Sequence, residues 1–208
     1  MEIIEKYPIT LAERLELGAG EVRLPGSFDD FMEMIEVCDY PIEYINNEII
    51  IMSIASDPHE KIVANLLREL GIIFKRNPDF HRYGSNRHVC VPDVPGAYSP
   101  DASIVKGQPE IFTYAPGKTA NLNPWLVAEI ISKSSRGTDM GDKLPDYKTI
   151  PSLRYILYFE QDKPLLTFHH RASENHRWAS EDFDGLDQTF EIEGKPVLMA
   201  DVYENVIF

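Results

Sequence analysis

Hydrophobic and polar positions follow two rhythms along this chain. In GSFDDFMEMIEVC (26–38), Phe28, Phe31, Met32 and Ile35 recur at helical spacing. Ser27 precedes them as an expected N-cap, and Asp29 and Asp30 place negative charge in the first turn, where the helix dipole favours it. IEYINNEIIIMS (42–53) changes to two short strand-like runs around Asn46-Asn47. Asparagine tolerates the positive φ of a tight turn, so the pattern predicts a β-hairpin. DPHEKIVANLLRELGIIFKRN (57–77) returns to helical spacing, with Ile62, Leu66, Leu70 and Ile73 on one face and Asp57-Pro58 at the start.

Short strand candidates follow at HRYG (81–84), RHVCV (87–91), DASIV (101–105) and WLVAEIIS (125–132). The stretch between the last two, 106–124, reads as a long loop, a class usually functional or mobile. A short helix is expected around DKLPDYKTI (142–150); Pro145 suits it if the helix begins near Asp142, because a first-turn residue needs no N–H partner. RYILYFE (154–160), PLLTFHH (164–170), ENHRWAS (174–180) and QTFEIEG (188–194) read as strands, and LMADVYENV (198–206) as a closing helix. Tyr155, Tyr158 and Phe159 read as packing residues and Trp178 as a hairpin anchor. His169 and His170 alternate faces on a strand, so they are not expected to chelate together. Early helices, strands throughout and a crossover after Glu129 predict an α/β sandwich with a central mixed sheet.

Length and composition narrow the class. With 208 residues, 43% apolar, the chain can bury one sizeable core, and one domain over 1–208 is expected, with 1–25 as an N-terminal extension. No apolar run reaches the ~18 residues of a membrane span. The N-terminus is acidic and broken by Pro8, which argues against a signal peptide. Cys38 and Cys90 fit neither a zinc pattern nor a disulfide framework, so reduced thiols and a cytoplasmic location are expected.

Charge complicates any polyanion partner. Twenty Lys and Arg stand against 34 Asp and Glu, a net of −14, whereas phosphate binding calls for bases. The imbalance is uneven. Residues 1–50 carry 12 acids and 3 bases, and 180–208 carry 8 acids and 1 base, a tail expected to solvate the surface. Residues 59–88 carry 6 bases and 3 acids, with His59, His81 and His88 besides. Lys61, Arg68, Lys75 and Arg76 either form the wet side of a helix or mark the face on which a polyanion would lie.

Two acids stand out because each sits on an apolar strand. Glu129 lies among Val127, Ala128, Ile130 and Ile131, and Asp101 opens a strand directly after Pro100. A buried carboxylate must be paired, protonated or metal-bound. If the two strands pair, Asp101 and Glu129 can converge on one hard cation such as Mg²⁺, which prefers oxygen ligands. Otherwise Asp101 caps a turn and Glu129 forms a salt bridge. Strand alternation puts Trp125, Val127, Glu129, Ile131 and Lys133 on one face. Downstream, Asp139, Lys143 and Tyr147 share one face of a helix, with Lys143 one loop beyond Glu129. Paired carboxylates with a lysine suit phosphodiester hydrolysis: the metal polarises the phosphate, and the lysine orients or helps deprotonate water.

The segments IEYINNEIIIMS, DPHEKIVANLL, SPDASIV and VAEIISKSSRGTDMGDKLPDYKTIPSLRYILY resemble the Uma-two family of putative restriction endonucleases, within the PD-(D/E)xK nuclease superfamily. The resemblance runs from about residue 28 to about residue 170, and its most specific part is the spacing Glu129, Ser132, Asp139, Lys143, Tyr147. It implies a restriction-endonuclease-like core, a mixed sheet flanked by helices, with further C-terminal antiparallel strands. It implies Asp101 as the metal-binding aspartate and Glu129 as the second acid. Glu43 matches the family's N-terminal glutamate, as a third ligand directly or through water. The lysine usually two residues after the second acid is replaced by Ile131; Lys143 matches a lysine moved onto the following helix, and Lys133 is a second candidate. Tyr147 would pack against or hydrogen-bond that lysine. His59 matches a recurring histidine, to which the sequence assigns capping or packing. Asp93, also after a proline, is a rival to Asp101, but Pro95-Gly96 follows it and reads as a turn.

The implied function is a Mg²⁺-dependent endonuclease, with Mn²⁺ as a substitute, acting on nucleic acid, DNA in first place, as a homodimer suited to cutting two strands. The alternative is a module that kept the fold and binds a protein partner or nucleic acid without cutting.

Overall fold

The computed structural model describes residues 7–91, 96–115, 118–171 and 177–208. Asp93 lies outside them, as does the ENH end, 174–176, of the expected 174–180 strand. Chain order begins with α1 (Leu11–Glu16), β1 (Val22–Pro25) and α2 (Phe28–Val37), followed by the hairpin β2 (Ile42–Ile45) and β3 (Glu48–Ile51). Asn46 and Asn47 turn that hairpin at φ 51° and 64°. Ser27 caps α2: its hydroxyl accepts from the Asp30 amide at 3.0 Å, and the Asp30 carboxylate accepts from the Ser27 amide at 2.8 Å, which satisfies two end donors reciprocally. Ser56 caps α3 (Asp57–Ile73) with a single bond, its hydroxyl accepting from the His59 amide at 3.3 Å.

Next come β4 (Phe80–Gly84), β5 (His88–Cys90), β6 (Ala97–Tyr98), β7 (Ala102–Lys106), β8 (Ile111–Ala115), β9 (Lys118–Asn121) and β10 (Pro124–Ile131). A π-turn over Gly137–Lys143 leads into α4 (Leu144–Tyr147), then β11 (Tyr155–Glu160), β12 (Leu165–Arg171), β13 (Trp178–Asp184), β14 (Thr189–Ile192), β15 (Lys195–Leu198) and α5 (Met199–Val202). Among the described residues the strands form three sheets, in the orders β1-β3-β2-β6-β5-β9-β8, β13-β12-β11-β10-β7-β4 and β14-β15. The first two are mixed: β5 and β9 run parallel in one, β10 and β11 in the other. The result is a mixed α/β fold with few helices and extra antiparallel strands at its C-terminal end.

Strand alternation builds the layers. Ile42, Tyr44, Ile49 and Ile51 pack against Phe31, Met34 and Ile35 of α2 on the outside of the first sheet. Ile45 and Ile50, with opposite parity, join Val127, Ile131, Ile156 and Tyr158 between the two sheets. On the far side of the second sheet, Leu126, Ala128 and Ile130 meet Ile62, Leu66 and Leu70 of α3. The central strands β2, β3, β10 and β11 are therefore covered on both faces, and a polar group on an inward position of these strands is buried.

Several elements depart from the pattern reading. The expected loop 106–124 holds the hairpin β8–β9, whose bulged register hides the period-two signal. Trp125 does not share a face with Val127 and Glu129: β10 shifts register against β7 between Pro124 and Leu126, and Trp125 joins the α3 layer beside Phe74 and Phe80. β10 ends at Ile131, so Lys133 leaves the strand and stands exposed in the turn beyond it. The expected helix from Asp142 is a π-turn that passes into one α-turn at Leu144, with Pro145 in that first turn. The closing helix covers only Met199–Val202. The N-terminal extension is tied in: β1 pairs with β3, and buried Arg14 donates to the carbonyls of Gly18, Gly20 and Met52. Cys38 and Cys90 are free thiols. Among the described residues no helix is long and apolar enough to cross a membrane.

His169 supplies a test of the inter-sheet layer. Its buried ring packs edge-on against Tyr158 at 5.8 Å, and among the described residues neither ring nitrogen has a hydrogen-bond partner. Burial, aided by Lys148, pulls its pKa down from 6.5 to about 4. Between those two values the unfolded chain binds a proton that the folded chain refuses, so stability falls as pH drops from 6.5 toward 4, by about 3 kcal/mol in full. Chemical denaturation of His169→Gln beside the parent across that range is expected to show this component missing. Parallel pH profiles would refute the assignment.

Candidate active site: an acid and lysine cluster between the sheets

Three local features bring the polar groups together. Glu43 is on β2 with the parity of Ile45, and Glu129 is on β10 with the parity of Val127 and Ile131, so the two acids enter the inter-sheet layer from facing sheets. The chain crosses from β6 in one sheet to β7 in the other through Ser99-Pro100-Asp101, and β7 pairs antiparallel with β10, Ala102 opposite Ala128. That pairing sets Asp101 beside Glu129. The π-turn delivers Asp139 and Lys143, four residues apart, to the same point, with Tyr147 one turn on.

The contacts are short. The Asp101 carboxylate accepts from the Ile130 amide at 2.7 Å, and its own amide donates to Glu129 Oε2 at 3.3 Å. Lys143 Nζ lies 2.9 Å from Glu43 Oε1, 3.2 Å from Glu129 Oε1 and 2.9 Å from Asp139 Oδ1. Tyr147 donates to Glu129 Oε1 at 2.8 Å, so its hydroxyl serves the acid and not the lysine. Ser99 donates its amide to Glu43 Oε1 at 2.5 Å. His59 Nε2 sits 3.2 Å from Asp101 Oδ2, which gives this histidine a partner that its position after a helix cap did not reveal. Glu43, Glu129 and Lys143 are 1%, 3% and 2% exposed, and Asp101 is 7%.

Burial sets the electrostatics. It raises the Glu129 pKa well above the ordinary carboxylate value; Lys143 opposes the rise, and Asp139, Asp101 and Glu43 add to it. Glu43 is raised for the same reason, with Lys143 again opposing. Burial alone would lower Lys143, but Asp139, Glu129 and Glu43 outweigh it and hold the ammonium well above the usual lysine value. The three acids thus favour the charged form of Lys143. His59 is also raised, burial being outweighed by Asp101.

The cluster opens onto a cavity of about 560 Å³ whose wall includes Asp101, Glu129, Lys143, His59, Ser132 and Ser135. Among the described residues no group of three or more His, Cys, Asp or Glu stands ready to hold a metal ion. Glu43, expected as a third ligand, spends Oε1 on Lys143 and Ser99. Lys133 makes no ion pair with any of these acids; it is exposed beyond the strand, while Lys143 is buried among them. Asp101 and Glu129 line the cavity together with Glu43 and Asp139. Magnesium is commonly held by one or two carboxylates, with the remaining positions filled by water and substrate phosphate. Three carboxyl groups surround the Lys143 ammonium and Asp101 stands beside them, so oxygen donors outnumber the cation and the donor chemistry fits a divalent cation.

The chain matches the family model Uma2, described as putative restriction endonuclease, over residues 28–200. A curated relative, the uncharacterized protein sll1609 of Synechocystis sp., is 26% identical over 132 residues, 64% of this chain and 73% of the relative. A crystal structure of a putative nuclease belonging to DUF820, from Anabaena variabilis, superposes with a TM-score of 0.61 at 16% identity, over 96% of this chain and all of that one. At that identity the likeness speaks for the fold alone.

Proposed function

The chain belongs to the Uma2 family of putative restriction endonucleases, and we propose that it hydrolyses phosphodiester bonds in nucleic acid, DNA first, with the aid of Mg²⁺. The observation that carries this reading is the juxtaposition of Asp101 and Glu129 on the cavity wall, with the charged Lys143 within 3.2 Å of Glu129. Asp101 and Glu129 would hold the ion. When bound, it supplies Lewis-acid polarisation of a phosphoryl oxygen and a lowered pKa for a coordinated water. The protein's own groups have separate tasks. Lys143 offsets charge that builds on the phosphoryl group and fixes Glu129, as Tyr147 also does. Glu43 and Asp139 orient Lys143, and His59 holds Asp101 from the α3 side. Cutting both strands of a duplex needs two such sites, which a second copy of the chain would supply.

The test is direct. Purified protein incubated with supercoiled plasmid, single-stranded DNA and single-stranded RNA is expected to cleave DNA with Mg²⁺ or Mn²⁺ and not with EDTA. The second reading, a fold that binds without cutting, is favoured by the grip of Lys143 on Glu43 and Glu129. It predicts no turnover on any of the three and no heat of Mn²⁺ binding in calorimetry.

A further inference from the structure

A second pocket, of about 380 Å³, lies against the first. Tyr40, Pro41 and Ser85 line both, so they form a shared rim. Ser99 spans that rim: its amide reaches Glu43 on the acid side, and its hydroxyl donates to the Ser85 carbonyl. Beyond the rim the charge changes sign. Arg87 and Lys118 line the second pocket, with Asp39 as its acid.

Among the described residues neither base forms an ion pair with a carboxylate. Arg87 donates through Nε and Nη2 to Asn121 Oδ1, at 3.1 and 2.9 Å, and through Nη1 to the Thr119 hydroxyl. Those bonds hold the guanidinium plane and leave one N–H on each terminal nitrogen without an acceptor. Lys118 donates to the Ile35 carbonyl near the C-terminal end of α2. By contrast, the bases on or beside the π-turn are spent: Arg23 on Glu21, Glu48 and Asp142, Arg136 on Glu160, and Lys143 on three acids. In a chain of net charge −14, two cations on one concave wall with no carboxylate partner among the described residues form a favourable place for an anion.

We propose that Arg87 and Lys118 hold a backbone phosphate of the nucleic-acid strand, on the segment flanking the bond that lies over Asp101 and Glu129. This deepens the nuclease reading and rests on it for the identity of the anion. The strand crosses Pro41 and Ser85, and its phosphate meets a fixed guanidinium fork and a lysine. The acidic cleft then receives a strand already anchored by the neighbouring pocket, which resolves how so acidic a chain engages a polyanion.

Binding of a labelled phosphorothioate oligonucleotide, measured by anisotropy in EDTA across a salt series, tests this without any turnover. Arg87→Gln and Lys118→Gln are each expected to weaken binding about tenfold. Together they should reduce the slope of log K against log salt by about 0.7 for a single strand, or 0.9 for a duplex, per phosphate lost. Lys195→Gln, on the other side of the second sheet, should change neither. Thermal midpoints for each variant guard against unfolding, and Lys118→Gln, which leaves the Arg87–Asn121 bonds intact, is the safer of the two. Unchanged affinity and slope in the double variant overturn the site even if the wild type cuts DNA. Wild type that binds inorganic phosphate but no oligonucleotide overturns it as well. A weakened double variant in a protein that never cuts upholds the site and rejects the nuclease reading alone.

Discussion

Lys143→Met is expected to lower the free energy of unfolding by about 3–5 kcal/mol at neutral pH, read from urea denaturation monitored by tryptophan fluorescence. Methionine keeps much of the side-chain volume, so the loss is electrostatic in origin. Among the described residues Lys143 is the one ammonium within reach of Glu43, Glu129 and Asp139, in a layer that also holds Ile45, Val127, Tyr147 and Tyr158. Its removal leaves carboxylates that must either stay charged in a dry layer or take up protons, and both routes cost stability. Combining Lys143→Met with Asp139→Asn should restore part of the loss, because one of the stranded charges goes with it; a coupling of about 1–3 kcal/mol is expected in the double-mutant cycle. A single variant as stable as the parent would mean that the lysine does not sit among these acids.

That cluster was only partly legible in the sequence. Asp139, Lys143 and Tyr147 could be placed on one face because i, i+4 spacing survives a π-turn well enough to keep Asp139 and Lys143 in contact at 2.9 Å. The hairpin at Asn46-Asn47 was readable for a local reason, the tolerance of asparagine for positive φ. The partner of Tyr147 was not readable, since a side chain's choice between Glu129 and Lys143 is decided by tertiary geometry. Strand parity misplaces Trp125 because it assumes an unbroken register, and the bulge at Pro124–Leu126 breaks it. The same rule puts Lys133 on the face of Glu129 only by running past Ile131, where the strand stops. The pairing of His59 with Asp101 spans 42 positions and leaves no periodic trace. Local rules thus recover turns, caps and faces, and fail where a bulge, a strand end or a long-range contact decides.

Asp101→Asn is expected to abolish metal-dependent cleavage, by at least about 10³-fold, a barrier increase of ~4 kcal/mol. The fold should survive. Asparagine can still accept from the Ile130 amide, now at 2.7 Å from Asp101, and can still face His59. It cannot supply the anionic oxygen that a hard cation needs. Heat of Mn²⁺ binding should therefore vanish together with turnover, while oligonucleotide binding in EDTA persists, because Arg87 and Lys118 are untouched. Glu43→Gln provides the contrast. Glu43 spends Oε1 on Lys143 and Ser99, so its amide should keep Mn²⁺ binding and lose turnover only through a misplaced lysine. If both variants lose the metal equally, Glu43 is a ligand and the lysine moves when the ion binds. If Asp101→Asn still cuts, the acid pair on β7 and β10 is structural and the reaction lies elsewhere.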